Sequence, residues 1–150
     1  MGLFIDRDGI PLGVCIDPGN TNEQKTLKPI EQRIISEYGM SKFIVCTDAG
    51  LASKANRKFN SINDRAFIVT SPIKKRKSEL KEWALSPQVW YISDGNRRKK
   101  YDISKLITGD IDEKTQQTFN DTVFYKERWV DQGSFEEKLI VTFSLKYQHY

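Results

Sequence analysis

The sequence predicts an α/β fold: an N-terminal β-hairpin, then helix, strand, helix, strand, with a β-rich insertion toward the C-terminus. Three observations carry this reading. Asp8-Gly9 stands between two apolar runs, apolar residues recur every three or four positions from Leu27 to Tyr38, and two apolar, β-branched runs follow at Lys42–Cys46 and Ala66–Thr70.

The hairpin comes first. Leu3-Phe4-Ile5 and Leu12-Gly13-Val14-Cys15-Ile16 flank Asp8-Gly9-Ile10-Pro11, and an Asp-Gly pair between apolar runs favours a tight antiparallel turn. Residues 17–22, Asp-Pro-Gly-Asn-Thr-Asn, all favour turns or local side-chain-to-backbone bonding, which makes them a structured loop. Leu27, Ile30, Ile34 and Tyr38 then form one face of a helix over 27–38, with Pro29 suited to its first turn and Gly39 to its stop. Lys42-Phe43-Ile44-Val45-Cys46 is a continuous apolar run of the kind buried on both faces by crossover helices, and it ends at Thr47-Asp48-Ala49-Gly50. Leu51, Ala52, Ala55 and Phe59 mark a short helix, and Ala66–Thr70 a second buried strand.

Beyond Pro72 the pattern loosens. It predicts a charged helix over Lys75 to Leu85, a strand at Val89 to Ile92 and a turn at Asp94-Gly95-Asn96, while residues 103–122 are polar with no clear period. Glu137 to Tyr147 alternates, with Leu139, Val141, Phe143, Leu145 and Tyr147 on one side, as a strand does. The chain thus divides into an α/β segment, 1–70, and a basic, mixed segment, 71–150, with no internal repeat or low-complexity linker.

Composition narrows the function classes. At 150 residues and 38% hydrophobic, the chain suits one core rather than two full domains. No run approaches the roughly 20 apolar residues of a membrane span, and the amino end lacks the succession of a secretory signal, so the expectation is a cytoplasmic protein with no membrane partner. Cys15 and Cys46 fall in apolar runs and read as small buried hydrophobes, implying neither disulfide nor metal. His149 has no Cys or His at metal-ligand spacing. The net charge of +4 is unevenly placed: residues 71–100 hold nine basic side chains against three acidic ones.

Asp48 is the informative carboxylate, because it stands at the carboxyl end of an apolar strand, directly before Ala-Gly and a helix. In open α/β sheets catalytic groups gather at such ends, where side chains of adjacent strands converge. The bland alternative is that Asp48 only caps the helix beginning near Leu51.

Three local sequences in order set Asp48 in context: Gly2-Leu3-Phe4-Ile5-Asp6-Arg7-Asp8-Gly9-Ile10-Pro11-Leu12, then Pro18-Gly19-Asn20-Thr21-Asn22-Glu23 with Lys25-Thr26-Leu27, then Phe43-Ile44-Val45-Cys46-Thr47-Asp48-Ala49-Gly50. Over about residues 2–70 this resembles the DDE transposases of the large bacterial "family four" insertion-sequence group. In that family a hairpin with Asp-Gly-Ile-Pro, a Pro-Gly-Asn-Thr loop, a helix and a strand ending in Asp-x-Gly follow one another. The stretch from Tyr125 to Trp129 and from Phe135 to Tyr147 resembles the long insertion that interrupts the family's fold.

The resemblance implies an incomplete ribonuclease H-like fold. In the complete enzyme three carboxylates hold two Mg²⁺ ions that activate water or a DNA 3′-hydroxyl for in-line attack on a phosphodiester at the transposon ends. Asp48 matches the second catalytic, metal-binding aspartate. The first belongs to a strand before the hairpin and the last, a glutamate in a Tyr, Arg, Glu, Lys signature, to a helix after the final strand, so neither has a counterpart here. Asp6, Asp8, Asp17, Glu136 and Glu137 do not sit at a strand end beside Asp48 and are not expected to substitute. The chain alone is therefore expected to be inactive. Because the family's first strand lies between the hairpin and the Phe43 strand, two strand edges are expected to lack a partner, which implies marginal stability.

Two basic clusters, Lys74-Lys75-Arg76-Lys77 and Arg97-Arg98-Lys99-Lys100, with Trp83, Trp90, Tyr91 and Tyr101 interleaved, are the candidate DNA-binding residues; otherwise they are a solvated helix face and a charged hairpin tip. Three functions remain open at this point: a segment of a transposase catalytic domain, homo-oligomeric as the full-length enzyme and acting at the nucleoid; a remnant that only binds DNA; and a metal-dependent nuclease with acids of its own.

Overall fold

A computed structural model describes residues 2–40, 42–92 and 99–147. The protein is mixed α/β, with several small sheets and helices, and divides into two compact units, Met1–Pro72 and Ile73–Tyr150.

In the first unit β1 (Gly2–Ile5) and β2 (Pro11–Cys15) form an antiparallel hairpin, with Leu3 opposite Val14 and Phe4 opposite Gly13. Its turn is organised by Asp6, whose Oδ1 accepts from the backbone N–H groups of Asp8 at 2.9 Å and Ile10 at 2.8 Å. Helix α1 (Leu27–Tyr38) has the predicted limits, and Gly39 ends it at φ 62°, a left-handed conformation that a Cβ would penalise. Leu27, Ile30 and Ile34 are its buried stripe. The helix is tied to β2 by Arg33 Nη2 donating to the Val14 carbonyl at 3.1 Å and Tyr38 Oη donating to the Leu12 carbonyl at 3.1 Å.

Strand β3 (Ile44–Thr47) and strand β4 (Ala66–Val69) pair in parallel, Val45 beside Phe67 and Cys46 beside Ile68. Between them lies α2 (Lys54–Phe59), a natural crossover for a parallel pair, begun by Ser53 accepting from the Asn56 N–H at 3.2 Å. The expectation that both strands are buried on two faces is not met. Val45 is buried, but Ile44 is 65% and Ile68 63% exposed, because alternate side chains point to a face that none of the described residues covers. Cys46 shares that face and is exposed, and Cys15 is half-buried, so neither is the buried hydrophobe its apolar run suggests.

In the second unit β5 (Tyr91–Ile92), β6 (Phe124–Asp131) and β7 (Glu136–Phe143) form an antiparallel sheet in chain order. Helix α3 (Ser78–Leu85) starts later than predicted, since Ile73–Lys75 closes a 3-10 turn first and Lys77 is extended, with ψ 151°. The alternating final strand stops at Phe143; Leu145–Tyr147 is a 3-10 turn. The polar stretch 103–122 contains two helices, α4 (Ser104–Thr108) and α5 (Glu113–Phe119), the second begun by Asp112 accepting from the Thr115 N–H at 2.7 Å. Their few apolar residues reach the core of Trp90, Ile103, Leu106 and Phe124, with Ile111 and Phe119 packed against it. Rings crowd around Phe124: Phe119 at 5.5 Å, Tyr101 at 5.7 Å and Phe143 at 6.3 Å between centroids. Val89 is held at φ 62°, strained for a β-branched residue, just before the Trp90–Tyr101 bridge.

Candidate functional site

Asp48 leaves the carboxyl end of β3 and is exposed. Its Oδ1 accepts from the Gly50 N–H at 2.9 Å and caps the 3-10 turn Ala49–Leu51, while Ser53 serves α2. The capping role weighed from the sequence is therefore present, on the turn rather than on the helix. One carboxylate oxygen is engaged this way, and Asp48 still lines an open groove.

The groove has a volume of about 590 Å³ and is lined by residues 3–7 of the hairpin, residues 44–48 of β3 and its end, and Leu27 and Leu51. Among the described residues β1 pairs only with β2, and β3 only with β4, so each of these strands keeps one edge without a strand.

A second carboxylate stands near Asp48. A Cβ placed on Gly50 would lie 3.1 Å from Asp48 Oδ1 and 3.5 Å from Glu23 Oε2, so the two acids flank the same glycine. Glu23 opens the 3-10 turn Glu23–Lys25, which Asn22 starts by accepting from the Gln24 N–H at 3.0 Å. Nothing in the local sequence singled Glu23 out, since its position comes from the packing of two turns distant in sequence. Of the acids set aside as substitutes, Asp6 organises the hairpin turn and lines the same groove, and Glu137 is held by Arg76 Nη1 at 3.2 Å and Gln132 Nε2 at 2.8 Å. Among the described residues no group of three or more His, Cys, Asp or Glu side chains could hold a metal ion.

The candidate DNA-binding residues sort by exposure. Lys74, Lys75 and Lys77 are exposed, as are Lys99 and Lys100. Arg76 differs: its side chain is 16% exposed and its guanidinium is turned onto Glu137, itself buried. Lys99 Nζ lies 5.4 Å from the centre of the Tyr101 ring. Arg97, Arg98 and the predicted turn at 94–96 lie outside the described residues, as does His149. Of the interleaved aromatics Trp90 is buried and Tyr101 packs against the core; Trp129, on β6, is 62% exposed and carries Lys138 Nζ 5.2 Å from its ring centre.

Lys126 is a buried cation. Its Nζ donates to the Ser86 carbonyl at 2.8 Å and sits 4.5 Å from the Trp90 ring and 5.3 Å from the Trp83 ring, and burial lowers its pKa. No helix among the described residues is long and apolar enough to cross a membrane. No protein-family model, no curated protein and no solved structure matches this chain.

Proposed function

We propose that this chain is part of the catalytic domain of an insertion-sequence transposase, an incomplete ribonuclease H-like fold that acts on transposon-end DNA in the cytoplasm, at the nucleoid, when complete. The observation that carries the reading is Asp48 at the end of β3, lining a groove shared with β1, each of the two strands keeping an unpaired edge among the described residues. The resemblance puts a strand bearing the first aspartate between the hairpin and β3, and an extended segment there would bond to both edges and bring its own end beside Asp48. Mg²⁺ belongs to that complete site, and the chain by itself has no cleavage activity.

The test is to translate the genomic DNA on both sides of the reading frame and express the extended frame. The expected frame supplies an upstream strand with Asp and a downstream helix with Tyr, Arg, Glu and Lys, and its product nicks plasmid DNA only with Mg²⁺. Cutting that persists in Asp48→Asn, or an open frame without those elements, overturns the proposal. Stops or frameshifts on either side favour the second reading, a remnant that binds DNA without cutting it, supported by the exposed Lys74, Lys75, Lys77, Lys99 and Lys100. Salt-dependent binding without cleavage is its signature.

A further inference from the structure

Where α1 meets α2, Glu31 and Asn60 are buried against each other, each 1% exposed. Asn60 Nδ2 donates to Glu31 Oε1 at 2.8 Å. The second oxygen of each side chain, Glu31 Oε2 and Asn60 Oδ1, has no hydrogen-bond partner. Two orphan atoms on two groups already joined by one hydrogen bond have a common cause. An ionised carboxylate offers only acceptors, and an amide oxygen is an acceptor too, so neither satisfies the other.

A proton on Oε2 changes this. Oε2–H then donates to Asn60 Oδ1 while Nδ2 donates to Oε1, and acid and amide close a ring of two hydrogen bonds that satisfies both oxygens. We propose that Glu31 is held as a neutral carboxylic acid in the folded chain, that this proton locks α1 to α2, and that its loss to solvent as pH rises through neutrality loosens the contact.

The surroundings agree. Burial pushes the Glu31 carboxyl up to about 7, against the opposing pull of the Asn60 hydrogen bond and of Arg65. The cations of the surrounding elements are Lys28 on α1, Arg57 on α2 and Arg65 before β4. Lys28 and Arg65 lie over the Phe59 ring, at 5.1 Å and 4.3 Å, and Arg65 Nη2 donates to the Phe59 carbonyl at 2.7 Å, so Arg65 acts on the carboxyl through its charge and burial outweighs it. The consequence reaches the candidate site, because α2 holds the turns on which both acids stand. Asn56 Nδ2 donates to the Leu51 carbonyl at 3.0 Å, behind Asp48, and to the Gln24 carbonyl at 2.9 Å, beside Glu23. This inference stands on the buried pair and does not rest on the transposase reading.

The experiment is a carboxyl-¹³C NMR titration of the full chain, with Glu31→Gln identifying the resonance by its loss. The expected result is one glutamate titrating near pH 7. Glu31→Gln copies the neutral acid, since its amide completes the same ring, so it is expected to fold and to remove the pH dependence of α1 and α2 hydrogen-exchange protection between mildly acidic and mildly basic pH. A Glu31 resonance titrating in the ordinary carboxylate range overturns the proposal. So does a Glu31→Gln chain that fails to fold, because a glutamine would then have replaced a required anion, or one that keeps the wild-type pH profile, because another group would then set it.

Discussion

Replacing Arg76 with Ala separates the proposed DNA contact from a fold contact within one basic run. Arg76 is turned onto the buried Glu137 at 3.2 Å, whereas Lys74, Lys75 and Lys77 around it are exposed. Each phosphate contact on duplex DNA contributes roughly 0.9 to the slope of log binding constant against log salt. The triple variant Lys74→Ala, Lys75→Ala, Lys77→Ala is therefore expected to flatten that slope by up to about 2.7 while leaving stability nearly unchanged. Arg76→Ala has the reverse profile. It takes the guanidinium away from a buried carboxylate, which costs about 3–5 kcal/mol, and it leaves the salt slope where it was. Fluorescence anisotropy of labelled duplex over a range of salt reads the first effect. Urea unfolding reads the second, followed by tryptophan emission, since Trp83, Trp90 and Trp129 all lie in the second unit. An Arg76→Ala chain that is fully stable but has a flatter salt slope refutes the reasoning, because Arg76 would then face DNA rather than Glu137.

Phe124→Ala removes a fully buried ring from the centre of the second core and is expected to cost about 3–5 kcal/mol, read in the same urea unfolding; a loss under ~1 kcal/mol means the core closes around the gap. Asp48→Asn keeps an oxygen for the Gly50 N–H, so its stability should stay within about 0.5 kcal/mol of the parent in thermal unfolding, which makes it a clean test of chemistry in any active, extended form. Val89→Gly relieves a left-handed valine and is expected to raise stability by about 1 kcal/mol in the same measurement. For Glu31 the sign follows from a folded pKa of about 7 against an ordinary 4.5: its contribution is whole below the ordinary value and is lost as pH rises to about 7. The total loss is about 3 kcal/mol, and Glu31→Gln should abolish it in urea unfolding followed by far-ultraviolet circular dichroism.

The sequence by itself determined what is local. The limits of α1 were legible because a 3.6-residue period and a terminal glycine are properties of adjacent residues, and the hairpin was legible because Asp-Gly between apolar runs specifies its own turn. The position of Asp48 at the end of β3 followed from the same kind of pattern, a β-branched run stopped by Ala-Gly. Tertiary structure alone decided the rest, because each depends on residues far apart in the chain meeting. An apolar run says that a strand is attracted to a core but not how many faces the core covers, so the exposure of Ile44, Cys46 and Ile68 was invisible. Helices α4 and α5 lay hidden in a polar stretch because a few well-placed residues, Leu106 and Phe119 among them, suffice once Phe124 and Trp90 provide the surface they pack on. The turning of Arg76 onto Glu137, the approach of Glu23 to the Asp48 turn and the burial of Glu31 against Asn60 are likewise contacts across the fold. A side chain's charge is written in the sequence; whether it faces water, DNA or a buried partner is set by what folding brings beside it.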